Sequence, residues 1–329
     1  MYDVARLAGV SHQTVSRVVN GSERVRSETR DRVHAAMEQL GYRPNSVARA
    51  LVTGRSHTLG VVTFDTTLYG PASTLFGVER AAHAAGYSVS IVSLVSLEPA
   101  EVTKALERLG ALGADGIVVI APHAAATVAQ WGLPADVPVV AVEAGPEDWV
   151  PVVAVDQQQG ARLATEHLLA LGHETVHHLA GPADWVEAQQ RVDGWRAALD
   201  AAGAVGSTPL RGDWSARSGY ELGRRLMEAA GVTAVFVAND QMALGLLRVL
   251  HEHGRRVPGD VSVVGFDDIP EAEFFTPPLT TVRQDFAEMG RRALHLLLEE
   301  IESKERSRTR VTVPASLVER ASTGSPPGR

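Results

Sequence analysis

Apolar residues fall into two successive rhythms along the chain. Up to about residue 42 they recur at helical spacing. Val4, Leu7 and Ala8 share one helix face before Gly9-Val10 breaks the run. Ser11 is placed to cap a second helix that runs to Val19 and ends at Asn20-Gly21. Ser27 is placed to cap a third, in which Val33, Ala36, Met37 and Leu40 follow the i, i+3, i+4, i+7 pattern before Gly41. Pro44 bars the helical conformation at Arg43, and Asn45 can cap a fourth, short helix over 46–52, stopped by Thr53-Gly54.

From about Leu59 the rhythm changes to continuous apolar runs separated by helical stretches. The runs are LGVVTF (59–64), YSVSIVSL (87–94), GIVVIAP (116–122), VPVVAVE (137–143), VPVVAVD (150–156), TVHHLAGP (175–182), TAVFVAND (233–240) and VSVVGFDD (261–268). Val/Ile runs of this kind are strands buried on both faces, which predicts parallel α/β sheets. There are too many strands for one ordinary sheet, so two α/β lobes are expected. Several runs end in polar residues, and in such sheets ligands bind at the carboxyl ends of the strands. The Leu-rich stretch ALHLLLEEI (293–301) reads as a lobe helix. The Ser/Gly/Pro-rich stretch 322–329 reads as a disordered tail.

Charge sharpens this division. The whole chain carries −8, but residues 1–56 hold nine arginines against five acids, a net +4, which leaves −12 for the remainder. A basic head on an acidic body suits a polyanion at one end only. Hydrophobic content of 45% with 21% charged residues excludes a disordered chain. No apolar run approaches the ~20 residues of a membrane span, and the start lacks a signal-peptide layout, so a cytoplasmic protein with no membrane partner is expected. The absence of cysteine excludes disulfides, thiolate metal sites and catalytic thiols. No nucleophile elbow, phosphate loop or dinucleotide fingerprint occurs, so neither an enzyme nor a cofactor is expected.

A small-molecule site at such strand ends needs an apolar platform and converging hydrogen-bond groups. Trp214, in GDWS after a strand end, is the leading platform among five tryptophans. Trp195, in DGW, suits core packing better. Asp267-Asp268 reads as a ligand-facing pair, an exposed turn or a metal pair, with nothing else at metal spacing beside it. His177 and His178 fall in one strand and so point to opposite faces, which argues against a shared metal.

YDVARLAGVSHQTVSRVVNG followed by VRSETRDRVHAAMEQLGYRPNSVARAL resembles the DNA-binding head and hinge of the LacI/GalR family of transcriptional regulators. The resemblance continues through AGP, GDWS, VANDQMALG, VSVVGFDD and PPLTTVRQDF to about Ala321. It implies a helix-turn-helix headpiece over 1–44, a hinge and linker over 45–56, and a two-lobed core like that of the periplasmic sugar-binding proteins. The implied lobes are 57–157 with 286–307 and 158–283 with 308–321. The implied crossings lie near Gln158, Gln284 and Arg308.

In a head of this kind His12, Gln13 and Arg17 are expected at base edges in the major groove, and Ser11, Thr14, Ser16 and Asn20 at phosphates. The alternative is a plain helical bundle, which the arginine excess disfavours. The hinge segment is too short to be stable alone. It is expected to order in pairs on DNA, with Leu51 wedged into the minor groove and Asn45 and Ala48 beside it. Leu51 as a linker residue on its own domain is the alternative.

In the body the resemblance adds Arg191, Asn239, Asp267, Gln284 and Phe286 to Trp214, with Leu68, Gly70, Pro71 and Thr74 on the first lobe. Glu143 and Glu187 complete the set as departures: Glu143 stands where a member of that family has Asp, Glu187 where it has Ser, and Thr74 where it has Ile. Arg191 paired structurally with Asp193 or Glu187 is the competing reading. The expected function is a repressor of carbohydrate-utilisation genes. It binds a palindromic double-stranded operator as a homodimer and is released by a small sugar, a galactoside first. Other hexosides, disaccharides and a purine-type corepressor stay open, as do a sugar-transport protein and a DNA-packing protein. The chain ends without a heptad tail, which favours a dimer. The first helix opens without its usual cap, which favours a longer native start.

Overall fold

The computed structural model describes residues 1–19, 24–42, 54–94, 98–120, 132, 136–144, 149–229 and 231–328. It divides into two bodies, Met1–His57 and Thr58–Arg329.

The first body holds α1 (Tyr2–Ala8), α2 (His12–Val19) and α3 (Ser27–Gln39). Gly9 closes α1 at φ 63, a left-handed conformation that glycine adopts without strain. The Ser11 hydroxyl accepts from the Thr14 backbone N–H at 3.2 Å, as expected of a cap. Ser27 does not cap α3: Arg26 occupies the capping position without a side-chain hydrogen bond, and Ser27 is already helical. Val4, Ala5, Ala8, Val15, Val18, Val25, Val33 and Ala36 form one small core. Each larger side chain fully buried there contributes about 1.5–3 kcal/mol. The expected fourth helix, 46–52, lies outside the described residues.

The second body contains two six-stranded sheets. The first lobe is β1 (Thr58–Phe64), α4 (Tyr69–Ala84), β2 (Ser88–Leu94), α5 (Pro99–Ala111), β3 (Gly116–Ile120), β4 (Val139–Val142) and β5 (Val152–Val155). The second lobe is α6 (Gln157–Ala170), β6 (His177–Ala180), α7 (Val186–Ala201), β7 (Leu210–Arg211), α8 (Ala216–Leu226), β8 (Ala234–Val237), α9 (Asp240–Glu252), β9 (Ser262–Asp267) and β10 (Thr280–Arg283). The chain then returns to the first lobe as α10 (Phe286–Ser303) and β11 (Arg310–Val313), and ends on the second with β12 (Ser316–Val318). The sheet orders are β11-β5-β4-β3-β1-β2 and β12-β10-β9-β8-β6-β7. All recorded pairings are parallel except β12 on β10. The central strands are buried along their whole length, which is why they read as unbroken Val/Ile runs.

Two expectations need correction. The crossing expected near Arg308 comes later. Arg310–Val313 pairs with Val152–Val155 of β5, so the chain remains in the first lobe until Val313 and crosses at Pro314-Ala315. The β-branched Val311 and Val313 form an edge strand there. The start of the tail, 322–324, is docked, not disordered. Ser322 is fully buried, its hydroxyl donating to Val263 O at 2.6 Å and accepting from Thr280 N at 2.8 Å. Gly324 bonds Ser262 and His173, so hydrogen bonds override the composition.

Helices α4 and α10 meet backbone to backbone at Gly77 and Gly290, where neither position has room for a Cβ. Helices α8 and α9 meet in the same way at Gly219 and Gly245. These contacts fix the helix starts, which carry much of the cleft between the lobes. Trp195 is core, its indole N–H donating to Val176 O at 2.9 Å. His178 is buried and stacked on Phe236 at 4.6 Å, while His177 faces outward to Ser207. No helix among the described residues is long and apolar enough to cross a membrane.

Candidate functional site

The strands of both lobes end at one cavity of about 280 Å³, just under the ~300–1,000 Å³ usual for small-molecule sites. Every residue expected to hold an effector lines it: Leu68, Gly70, Pro71, Thr74, Glu143, Glu187, Arg191, Trp214, Asn239, Asp267, Gln284 and Phe286.

The second-lobe wall is held by local chemistry. In GDWS, Asp213 accepts from the Ser215 N–H at 2.9 Å and hydroxyl at 2.6 Å, and Ser215 in turn caps α8 through Ser218 N at 3.1 Å. Trp214 is thereby held at φ 73, and Gly181 lies against its ring with no room for a Cβ. Asn239 caps α9 through Met242 N at 2.9 Å, and its amide donates to Trp214 O at 3.0 Å. Asn239 therefore positions Trp214 as well as lining the cavity. Asp267 ends β9 at φ 108 and Asp268 follows it at φ 53, while Glu143 follows β4 at φ 57. Such backbone costs about 1–3 kcal/mol per non-glycine residue and concentrates at ligand sites. Asp268 is an anchor, taking Arg283 and Arg320 at 2.6 Å each, which leaves Asp267 alone in the cleft. No cluster that could hold a metal occurs among the described residues.

Arg191 is the centre of this wall. Its Nε donates to Gln157 Oε1 at 2.9 Å, one terminal nitrogen donates to the Ala238 carbonyl, and the other lies 3.6 Å from Asp267. Its guanidinium sits 3.8 Å above the Phe266 ring centroid. Neither Asp193 nor Glu187 is its ion-pair partner; Asp193 accepts from Gln189 instead. Gln157 Nε2 donates to Gln284 Oε1 at 2.8 Å, and Gln284 Nε2 donates to Asp267 at 2.6 Å. The four side chains thus close a ring, and two of them stand where the chain crosses between lobes.

Burial dominates the electrostatics. It pushes Glu143 up to about 7 and Asp267 up to about 6, against the lowering field of Arg191 on both and a Val155 N–H bond to Glu143. Burial also raises Glu187 well above the ordinary range, and the nearby Glu143 adds to this. Two buried polar atoms in the cavity wall have no partner among the described residues, Glu187 Oε2 and Trp214 Nε1. Orphaned groups of this kind are rare in folded proteins and point to a ligand that completes them.

The cavity also holds residues that sequence reasoning missed: Thr67, Tyr69, Ile120, Trp185, Ser215, Ala216 and Gln241. Trp185 meets Trp214 edge to face at 5.4 Å, and Tyr69 meets Phe286 likewise at 5.8 Å. The position of Trp185, just beyond β6 at the start of α7, was the available signal.

In the headpiece, α2 buries Val15 and Val18 and turns Gln13 and Arg17 outward. Ser11 and Thr14 share a hydroxyl hydrogen bond of 2.9 Å, and Ser16 is half-buried. His12 stacks on Tyr2 at 4.7 Å. Asn20, Asn45, Ala48 and Leu51 lie outside the described residues.

Residues 1–45 match the family described as bacterial regulatory proteins, lacI family, and residues 165–323 match the periplasmic binding protein-like domain. The chain is 37% identical to the lactose operon repressor of Escherichia coli K12, over 99% of this chain and 91% of that protein. It superposes on a lac repressor dimer bound to operator and the anti-inducer ONPF with a TM-score of 0.87, at 36% identity and 98% coverage of each chain. It superposes on the complex of the transcriptional regulator CelR with cellobiose with a TM-score of 0.72, at 35% identity, over 97% of this chain and 98% of that one.

Proposed function

The chain belongs to the lacI family of bacterial regulatory proteins, and we propose that it represses carbohydrate-utilisation genes from a palindromic operator, as a homodimer released by a sugar. The observation that carries this reading is the cavity between the lobes. Its aromatic walls suit the apolar face of a pyranose, and its amides, carboxyls and guanidinium suit hydroxyls. The acidic body makes general DNA packing a poor second use, and a transport protein has no need of the arginine-rich head.

On this reading Gln13 and Arg17 read bases, Gln suiting adenine and Arg suiting guanine, with His12 beside them and Ser11, Thr14 and Ser16 at phosphates. Asn20 and the 45–51 segment complete the DNA contact. Sugar binding changes the geometry of the two lobes, and segment 45–56 carries that change to the head, with a coupling of about 1–3 kcal/mol. The operator places the protein's work in the cytoplasm.

A galactoside is the leading effector. A glucose disaccharide is the second reading, carried by the likeness to CelR in complex with cellobiose. Operator binding followed by fluorescence anisotropy across a sugar panel tests the proposal, with release by at least one sugar expected. Operator affinity indifferent to every sugar would defeat it. Leu51→Ala should weaken specific binding more than non-specific binding; equal losses on both DNAs would remove the wedge.

A further inference from the structure

Arg191 is the one cation among the described residues that line the cleft, and three carboxyls face it: Asp267, Glu143 and Glu187. Its donors already serve Gln157, the Ala238 carbonyl and Asp267. Glu143 accepts from Val155 N at 3.1 Å and lies in the field of Arg310. Glu187 is the odd member. It is 8% exposed, its Oε2 has no partner among the described residues, and Glu143 bears on it from the opposite lobe.

Burial, the unpartnered Oε2 and the neighbouring Glu143 all favour the protonated form of Glu187, whose proton affinity is raised. The charged groups that face it are Glu143, Arg191 and Asp267; Arg191 opposes that rise, as does a hydrogen bond from the Glu187 backbone N–H. Trp214 Nε1 is the complementary orphan, a donor with no acceptor at 7% exposure. A ligand that completes the wall brings a cation or proton donor to Glu187, an acceptor to Trp214, and an apolar face to the indoles. A neutral hydroxyl satisfies the hydrogen bond and offers Glu187 no countercharge. An ammonium supplies both the hydrogen bond and the countercharge that lets Glu187 ionise, and the two indoles favour a cation further.

We propose that the effector is an amino sugar, a hexoside whose ammonium replaces the proton on Glu187 while a ligand oxygen accepts from Trp214 Nε1. This rests on the sugar reading of the cleft and narrows it. The proton leaves Glu187 for solvent as the ammonium arrives, so binding releases protons, which a neutral sugar does not require.

The test is calorimetry near neutral pH in two buffers of different ionisation enthalpy. D-galactosamine and the β-1,4 glucosamine disaccharide are compared with D-galactose and cellobiose. The amino member of each pair is expected to bind roughly tenfold tighter and to release about one proton per ligand. Glu187→Gln removes both the preference and the proton release, and a thermal midpoint at or above the wild-type value shows that the variant is folded. Glu143→Gln retains the preference at reduced size. Neutral sugars binding as well as their amino partners, or a Glu187→Gln variant with an unchanged preference, overturns the ammonium assignment and leaves the sugar site standing. A cleft that binds none of the four overturns both.

Discussion

The two lobes share a strand order and load their sides of the cleft differently. The second lobe supplies Arg191, Asp267, Asn239 and Trp214, each held by hydrogen bonds that exist without a ligand. The first supplies Leu68, Gly70, Pro71, Thr74 and Phe286, mostly apolar groups set by the start of α4 and α10, with Glu143 its single charge. The difference teaches a division of labour. The second lobe is a preformed bed that orients the ligand, and the first is a softer wall that covers it.

The strongest way to break this division is Arg191→Ala. It leaves Asp267 and Gln157 buried without their partner and should cost about 3–5 kcal/mol of stability, read from urea unfolding, together with all effector response. Trp214→Ala should come next, weakening effector binding by about 3 kcal/mol, roughly a hundredfold, with operator affinity intact. An unchanged sugar response would remove Trp214 from the site. Phe286→Ala, on the softer wall, should weaken effector binding by only about 1 kcal/mol. A loss as large as that of Trp214→Ala would erase the asymmetry.

The smallest expected effect is in pH. Burial holds Glu143 at about 7 against an ordinary 4.5, so the folded state binds its proton more tightly than the unfolded chain. The stability this provides is full below the ordinary value and is lost as pH rises through the raised one. Tm of the unliganded protein, measured relative to Glu143→Gln, should therefore fall by several degrees between mildly acidic and mildly alkaline pH. His178, pushed down to about 3 by burial, changes in the opposite sense and is common to both proteins. A difference that does not vary with pH would mean that Glu143 stays ionised.

Elements whose signal is local were legible in the sequence. The eight long apolar runs all contain strands; seven are largely buried on both faces and so have little freedom of composition, while Ser88–Leu94 is a half-exposed edge strand that is apolar all the same. The short edge strands Leu210–Arg211, Arg310–Val313 and Ser316–Val318 were not, since half-exposed positions tolerate Arg, Thr and Ser. Thr280–Arg283 escaped as well, being only four residues long with polar Thr at its first two positions. The docking of 322–324 depends on His167, His173, Ser262 and Thr280, partners far away in the chain. The cleft residues come together as the resemblance implied. What no pattern could supply was the burial of Glu187, whose Oε2 is left without a partner among the described residues only once the fold encloses it.

The ring of Arg191, Gln157, Gln284 and Asp267 has a consequence for how such a regulator can diverge. Gln157 and Gln284 stand at the pivots, while Arg191, Asp267 and Gln284 itself touch the space for the ligand, so selectivity and resting tone share the same atoms. A lineage acquiring a new signal by substitution at Arg191 or Asp267 would also reset its basal silencing. Change at Trp185, Glu187 or Thr74, outside the ring, leaves the pivots alone and is the freer route to a new sensor.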